Sequence, residues 1–234
     1  MNSKKQLLLW CACLACFALC SCVEDLSDVN LAVESRYPDS RSYVDLGLSV
    51  KWANCNIGAE YPWEYGSYFC WGETFVKDAY YLDNYFCYRE STEELVEERY
   101  YYFETIDHEI SGSYSYDAAY YQWGYDWRMP TYSEISELVE NCSWRWTSVR
   151  GVYGYIVTGP NGNSIFLPAA GDRNGYDAEE CGLSGYYWCG TSAYDYGDYY
   201  GDSAYLLSFS DGENGDVYYA ARSWGFSVRP VYRY

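Results

Sequence analysis

Gly154-Tyr155-Ile156-Val157-Thr158-Gly159-Pro160-Asn161-Gly162-Asn163-Ser164-Ile165-Phe166-Leu167-Pro168 decides the class of fold. Two short runs rich in β-branched and aromatic residues flank a cluster of Gly, Pro and Asn, and the Asn-Gly pair tolerates positive φ, so a β-hairpin is the natural reading. The same grammar continues toward the C-terminus. Residues 203–210 and 217–222 read as strands around Asp211-Gly212-Glu213-Asn214-Gly215-Asp216, and residues 226–232 as a closing strand. Toward the N-terminus, residues 43–52 are β-rich with Gly47 placing a turn or bulge, and residues 65–71 form a second strand.

Helices are few. Thr131 and Glu134 in Pro130-Thr131-Tyr132-Ser133-Glu134 make a capping box. Behind it Ile135, Leu138, Val139 and Cys142 recur at i, i+3, i+4 and i+7, a stripe that predicts a helix packed on the sheet. Residues 115–123 predict a shorter helix ended by Gly124. A second capping box, Ser91-Thr92-Glu93-Glu94, predicts another inside the irregular acidic stretch 76–110. No solenoid repeat is evident, and the expectation is an α+β fold of antiparallel sheets with two or three short helices, one domain over 42–234.

The N-terminus has a different character. Lys4 and Lys5 precede an uncharged run over 7–19, the layout of a secretory signal, too short for a membrane-spanning helix. Leu19-Cys20-Ser21-Cys22 resembles the bacterial lipobox, which implies cleavage after residue 21, acylation of Cys22 and a tether over 22–41. Val23-Glu24-Asp25-Leu26-Ser27-Asp28 looks like the acidic signal that sends Bacteroidota lipoproteins to the cell surface. The resulting expectation is an outer-membrane lipoprotein with its folded part outside. Loss of Lys4 and Lys5 takes the 15 basic residues to 13 against 34 acidic ones, a formal charge of −21. That field excludes nucleic acid and anionic headgroups as partners and favours solubility, cations or basic partners.

Several blocks together carry a family resemblance. They are residues 44–59 (VDLGLSVKWANCNIGA), Trp71-Gly72-Glu73-Thr74, Asp126-Trp127-Arg128-Met129-Pro130-Thr131, residues 162–171 (GNSIFLPAAG) and Ser227-Val228-Arg229-Pro230-Val231. In this order they resemble the Fibrobacter succinogenes major paralogous domain, from about residue 43 to the C-terminus. That family is similar to C-type-lectin-like proteins of the formylglycine-generating-enzyme type. The resemblance implies a C-type-lectin-like fold but no single function, because such scaffolds host enzymes and binders alike. It also implies a Cys55–Cys142 disulfide; Cys70 and Cys189 stand where the family pattern has small residues and suggest a second pair. The six cysteines outside the leader and anchor, Cys55, Cys70, Cys87, Cys142, Cys181 and Cys189, are even in number in an oxidising compartment, which by itself leaves the pairing open.

Signals for catalysis are thin. The single histidine, His108, sits in the acidic stretch without a motif, and outside the leader no C-x-x-C or H-x-x-x-H spacing occurs. The spacing of Cys181 and Cys189 does not match the catalytic cysteine pair of formylglycine-generating enzymes. Gly159-Pro160-Asn161 lacks the carboxylate of a lectin calcium loop. Asp211, Glu213, Asn214 and Asp216 offer oxygen ligands suited to Ca²⁺, against the alternative of a solvated hairpin tip; otherwise no cofactor is implied.

The positive signal is tyrosine, 32 residues, none before Cys22. Among Gly, Ser and Asp, Tyr supplies a stiff amphipathic ring at low entropic cost, the vocabulary of binding loops. Tyr194, Tyr196, Tyr199 and Tyr200, with Trp188, Tyr218 and Trp224, are the expected ligand-contacting rings. Residues 186–224 also have the composition of C-type-lectin-like regions diversified by retroelements. The leading expectation is a non-enzymatic binding or adhesion module for a glycan or protein at the cell surface. The alternatives are a structural envelope or fimbrial component, or a glycan-acting hydrolase with two carboxylates across a cleft.

Overall fold

The computed structural model describes residues 41–90, 101–103, 106–193 and 202–233. The leader, Cys22, nearly all of the tether and the 91–94 capping box lie outside them. Antiparallel sheets dominate, with two short α-helices.

The hairpin that decided the class is present: β8 (Val152–Thr158) pairs with β9 (Ser164–Pro168) from Gly154↔Pro168 to Thr158↔Ser164. Its turn has Gly162 at φ 87°, and the Asn161 and Asn163 side-chain amides both donate to the Asp45 carbonyl at 2.8 Å. The tip is thereby tied to the first strands of the chain. β7 (Ser143–Val149) adds a third strand through a turn at Arg150-Gly151, both residues at positive φ. Sequence reasoning passed over β7 because Arg is an unusual occupant of such a turn, which favours Asn or Asp.

A five-stranded sheet runs in the order β14-β13-β12-β15-β3. It comprises β3 (Tyr68–Phe69), β12 (Ser184–Ser192), β13 (Ser203–Ser210), β14 (Glu213–Ala221) and β15 (Phe226–Ser227). Both faces are covered, and the alternation of strand side chains sorts them into two cores. Trp188 and Leu206 point into a cluster with Phe69, Trp71, Tyr85 and Phe226. Their neighbours Tyr187, Cys189 and Leu207 point into a cluster with Trp52, Leu138, Tyr155 and Leu167. Two-sided burial is why β12 shows no apolar–polar alternation. Gly185 lets the Phe209 ring close on the strand, since a Cβ there would stand 2.2 Å from it.

A four-stranded sheet has the order β1-β2-β16-β6, from β1 (Tyr43–Val44), β2 (Lys51–Ala53), β6 (Trp127–Arg128) and β16 (Val231–Tyr232). Two small ribbons complete the strands: β4 (Tyr88–Glu90) with β5 (Tyr101–Phe103), and β10 (Asp172–Arg173) with β11 (Ala178–Glu179).

Three sequence expectations need correction. Residues 226–232 do not form one strand: β15 and β16 belong to different sheets, separated by Val228-Arg229-Pro230, where Pro230 has no amide to donate. Residues 65–71 pair only at Tyr68–Phe69. The 211–216 loop shrinks to Asp211-Gly212, because β14 already begins at Glu213, paired with Ser210.

The expected main helix is α2 (Tyr132–Asn141), with Thr131 and Glu134 forming the capping box and Ile135 and Leu138 buried against the sheet. Glu134 also makes a two-pronged ion pair with Arg128. The shorter helix is α1 (Ala118–Trp123), begun by Asp117 and ended at Gly124. Asp117 is fully buried, yet its carboxylate accepts from the amides of Gly112, Ala119, Tyr120 and Met129. Among the described residues no helix is long and apolar enough to cross a membrane.

Candidate functional site

On the outer side of α1 a series of aromatic rings lies open to solvent. Burying Ala118 and Ala119 turns Tyr120 and Tyr121 toward the surface, where they meet Phe75, Tyr114 and Tyr125 from three loops. Phe75 packs on Tyr121 at 4.7 Å between centroids, Tyr121 on Tyr114 at 5.5 Å, Tyr114 on Tyr120 at 5.9 Å and Tyr120 on Tyr125 at 6.0 Å. Phe75 is 59% exposed, Tyr114 66% and Tyr125 67%, with Tyr120 and Tyr121 half-buried between them. The Arg233 guanidinium lies 5.4 Å from the centroid of Tyr120 and 5.0 Å from that of Tyr125. Val76 and Gln122, the chain neighbours of Phe75 and Tyr121, line a groove with Arg41, Ile57, Ser67 and Trp123. The Gln122 amide is fixed by donating to the Thr74 carbonyl at 2.7 Å.

A smaller exposed group lies around Tyr81 and Tyr176, edge to face at 5.7 Å, with Trp224 in the segment that follows β14. Arg173 lies 5.0 Å from the neighbouring Tyr80 ring, and its amide donates to the Gly225 carbonyl. On the edge strand β14, Tyr218 and Tyr219 stand stacked at 5.4 Å.

Of the rings expected from sequence, Tyr218 is 61% exposed and Trp224 37%, as a binding role requires. Trp188 is not available: it is fully buried and its indole N–H donates to the Phe69 carbonyl at 2.8 Å. It follows two tyrosines in the sequence, but alternation along β12 turns it inward. Tyr194, Tyr196, Tyr199 and Tyr200 lie outside the described residues. The α1 rings were missed because residues 115–123 were read only for helix signals. Two adjacent tyrosines on the polar side of a short amphipathic helix were the available clue.

The cysteine pairs are corrected as well. Cys55, Cys70, Cys142 and Cys189 are free thiols, so neither Cys55–Cys142 nor Cys70–Cys189 is bridged. Each faces its own surroundings: the Cys55 thiol points to the Glu60 carbonyl, Cys70 to that of Ser223 and Cys189 to that of Tyr205, while Cys142 ends α2. Burial pushes the thiols of Cys55 and Cys142 up to about 11 and those of Cys70 and Cys189 up to about 12.

The Ca²⁺ candidates do not converge. Asp211 is at the hairpin tip, Glu213 accepts from the Ser210 hydroxyl and Asp216 from the amide of Val217. Among the described residues no group of three His, Cys, Asp or Glu side chains is placed to hold a metal. Burial, with Glu180 and Glu179 close by, raises the Asp172 carboxyl to about 6.

No family model, curated protein or solved structure matches the chain.

Proposed function

We propose that this chain is an exported lipoprotein, acylated at Cys22 and displayed at the outer membrane, whose folded part is a non-enzymatic binding or adhesion module for a glycan or protein. The fold is assigned to the C-type-lectin-like type on the strength of the five sequence blocks. The observation that carries the binding reading is the open ring series Phe75, Tyr121, Tyr114, Tyr120 and Tyr125. Exposed rings in contact with one another are costly to leave in water and serve well as anchors for a ligand. Tyr218, Trp224 and the tyrosines at 194, 196, 199 and 200 extend the set of contact residues. Glycan and protein arrays probed with the full chain test this. A Tyr114→Ala/Tyr121→Ala/Tyr125→Ala variant is expected to lose the captured ligand while keeping the thermal transition; unchanged capture would remove the assignment.

A further inference from the structure

The chain's own cations show how its rings are used. Lys51 sits 4.7 Å from the Tyr43 centroid, Arg150 5.7 Å from Trp63 and Arg222 4.4 Å from Trp71. Arg233 lies between Tyr120 and Tyr125, inside the open ring series itself. Farther along that series no described cation stands over Phe75, Tyr121 or Tyr114.

Charge decides which partner suits these open faces. Acidic residues outnumber basic ones 34 to 15. Of the basic residues, Arg222 and Arg229 are buried, while Lys77 and Arg128 are each neutralised by a carboxylate, Glu73 and Glu134. The exterior is therefore dominated by carboxylates. An anionic partner is repelled by that field, a neutral glycan draws nothing from it, and a cationic one is steered toward the surface. An ammonium or guanidinium arriving at a tyrosine face is held by the ring quadrupole, as Arg233 already is.

We infer that the Phe75–Tyr121–Tyr114 face accepts lysine and arginine side chains from a basic segment of a partner protein. The inference rests on the binding-module reading above and names its ligand class.

The test uses the full chain and a fluorescent Arg-Gly repeat peptide, with its citrulline analogue and a neutral oligosaccharide as the other probes. The arginine peptide is expected to bind, the citrulline peptide to bind at least about tenfold more weakly, and added salt to weaken binding. A Phe75→Ala/Tyr114→Ala/Tyr121→Ala variant, unchanged in charge, is expected to lose about tenfold in affinity. Tyr114→Phe/Tyr121→Phe is expected to stay within about twofold, because the ring and not the hydroxyl holds the cation. Tyr153→Ala, on β8, is expected to change nothing. Should the triple variant fold poorly, Tyr114→Ala alone, at the most exposed of the three rings, is expected to cost about threefold. Equal affinity of wild type and ring variants for the arginine peptide would overturn the inference, since bulk charge would then suffice. Ring-dependent binding of the oligosaccharide without the peptide would also overturn it while leaving the binding-module reading intact. If neither the peptide nor the array signal responds to the ring variants, both readings fall.

Discussion

The residues of the five ordered sequence blocks and the tyrosines of the outer surface are put to opposite uses. Arg229, from the last block, is fully buried and reaches no carboxylate among the described residues. Its Nε donates to the Asn56 side chain, and its terminal nitrogens to the carbonyls of Ala53, Asn54 and Phe166. Trp71, from the second block, donates to the Cys189 carbonyl and receives Arg222 on its face. Arg128, from the third, holds Glu134 at the start of α2. These contacts join β2, β9, β12 and α2 across long stretches of chain, so the motif residues specify a scaffold. The rings around α1, by contrast, contact one another and the Arg233 guanidinium, and Phe75, Tyr114 and Tyr125 are exposed. The most recognisable residues of this chain are thus architectural, and the proposed binding surface lies where the sequence is least patterned.

The sharpest way to break that contrast is to remove Arg229. Arg229→Ala leaves the carbonyls of Ala53, Asn54 and Phe166 and the Asn56 side chain without their donor inside the protein. The expected loss is about 3–5 kcal/mol of unfolding free energy, measured by urea denaturation. Alanine at Tyr114 is expected to stay within about 0.5 kcal/mol of wild type in the same assay. A loss below about 1 kcal/mol for Arg229→Ala would mean that the buried guanidinium is not a structural hub.

Asp172 sharpens the comparison at a middle scale, because it is a buried carboxyl with acidic neighbours where Asp117 has four amide donors. Its folded value of about 6 lies above the ordinary carboxylate value, so the folded protein binds the proton more tightly than the unfolded chain. The stabilisation is complete below the unfolded value, about pH 4, and is lost as pH rises through about 6. Asp172→Asn is therefore expected to be more stable than wild type at pH 7 by about 1 kcal/mol, and to show a weaker fall in stability between pH 4 and 6. Parallel stability–pH curves for the two proteins would show that Asp172 carries no such linkage.

How much was legible in the sequence follows the same division. The 154–168 hairpin and α2 were readable because local chemistry and tertiary role agree: Asn161-Gly162 makes the turn it favours, and Thr131 and Glu134 cap the helix they begin. Residues 226–232 misled, because both ends are β-forming, yet between them Arg229 turns inward to the carbonyls of Ala53, Asn54 and Phe166 and Pro230 offers no amide, so the two ends join different sheets. Trp188 misled because Tyr186, Tyr187 and Trp188 look alike in composition, and only the two-sided burial of β12 assigns each to a face. The hairpin at 203–221 was found but its tip misplaced. Charged and small residues at 213–216 resemble a loop, yet they form the start of an edge strand whose outer positions tolerate them.

The smallest effect concerns the thiols, where interior and exterior meet in one residue type. Cys55, Cys70, Cys87 and Cys189 are buried and Cys142 half-buried, whereas Cys181 is exposed, within hydrogen-bond reach of the Ala170 carbonyl. Reactivity needs both access and the thiolate, and burial has pushed four of the inner thiols to 11 or above. Brief treatment of the native mature protein, its leader removed and Cys22 acylated, with N-ethylmaleimide at pH 8 is expected to label Cys181 alone, with no shift in thermal stability. In denaturant the other five are expected to label as well, which peptide mass mapping reads directly. Labelling of Cys70 or Cys189 as fast as Cys181 would place those thiols at the surface. Failure of Cys55 and Cys142 to react in denaturant until a reductant is added would show them joined, and the scaffold would then owe part of its order to a covalent link instead of to Arg229, Asp117 and Trp71.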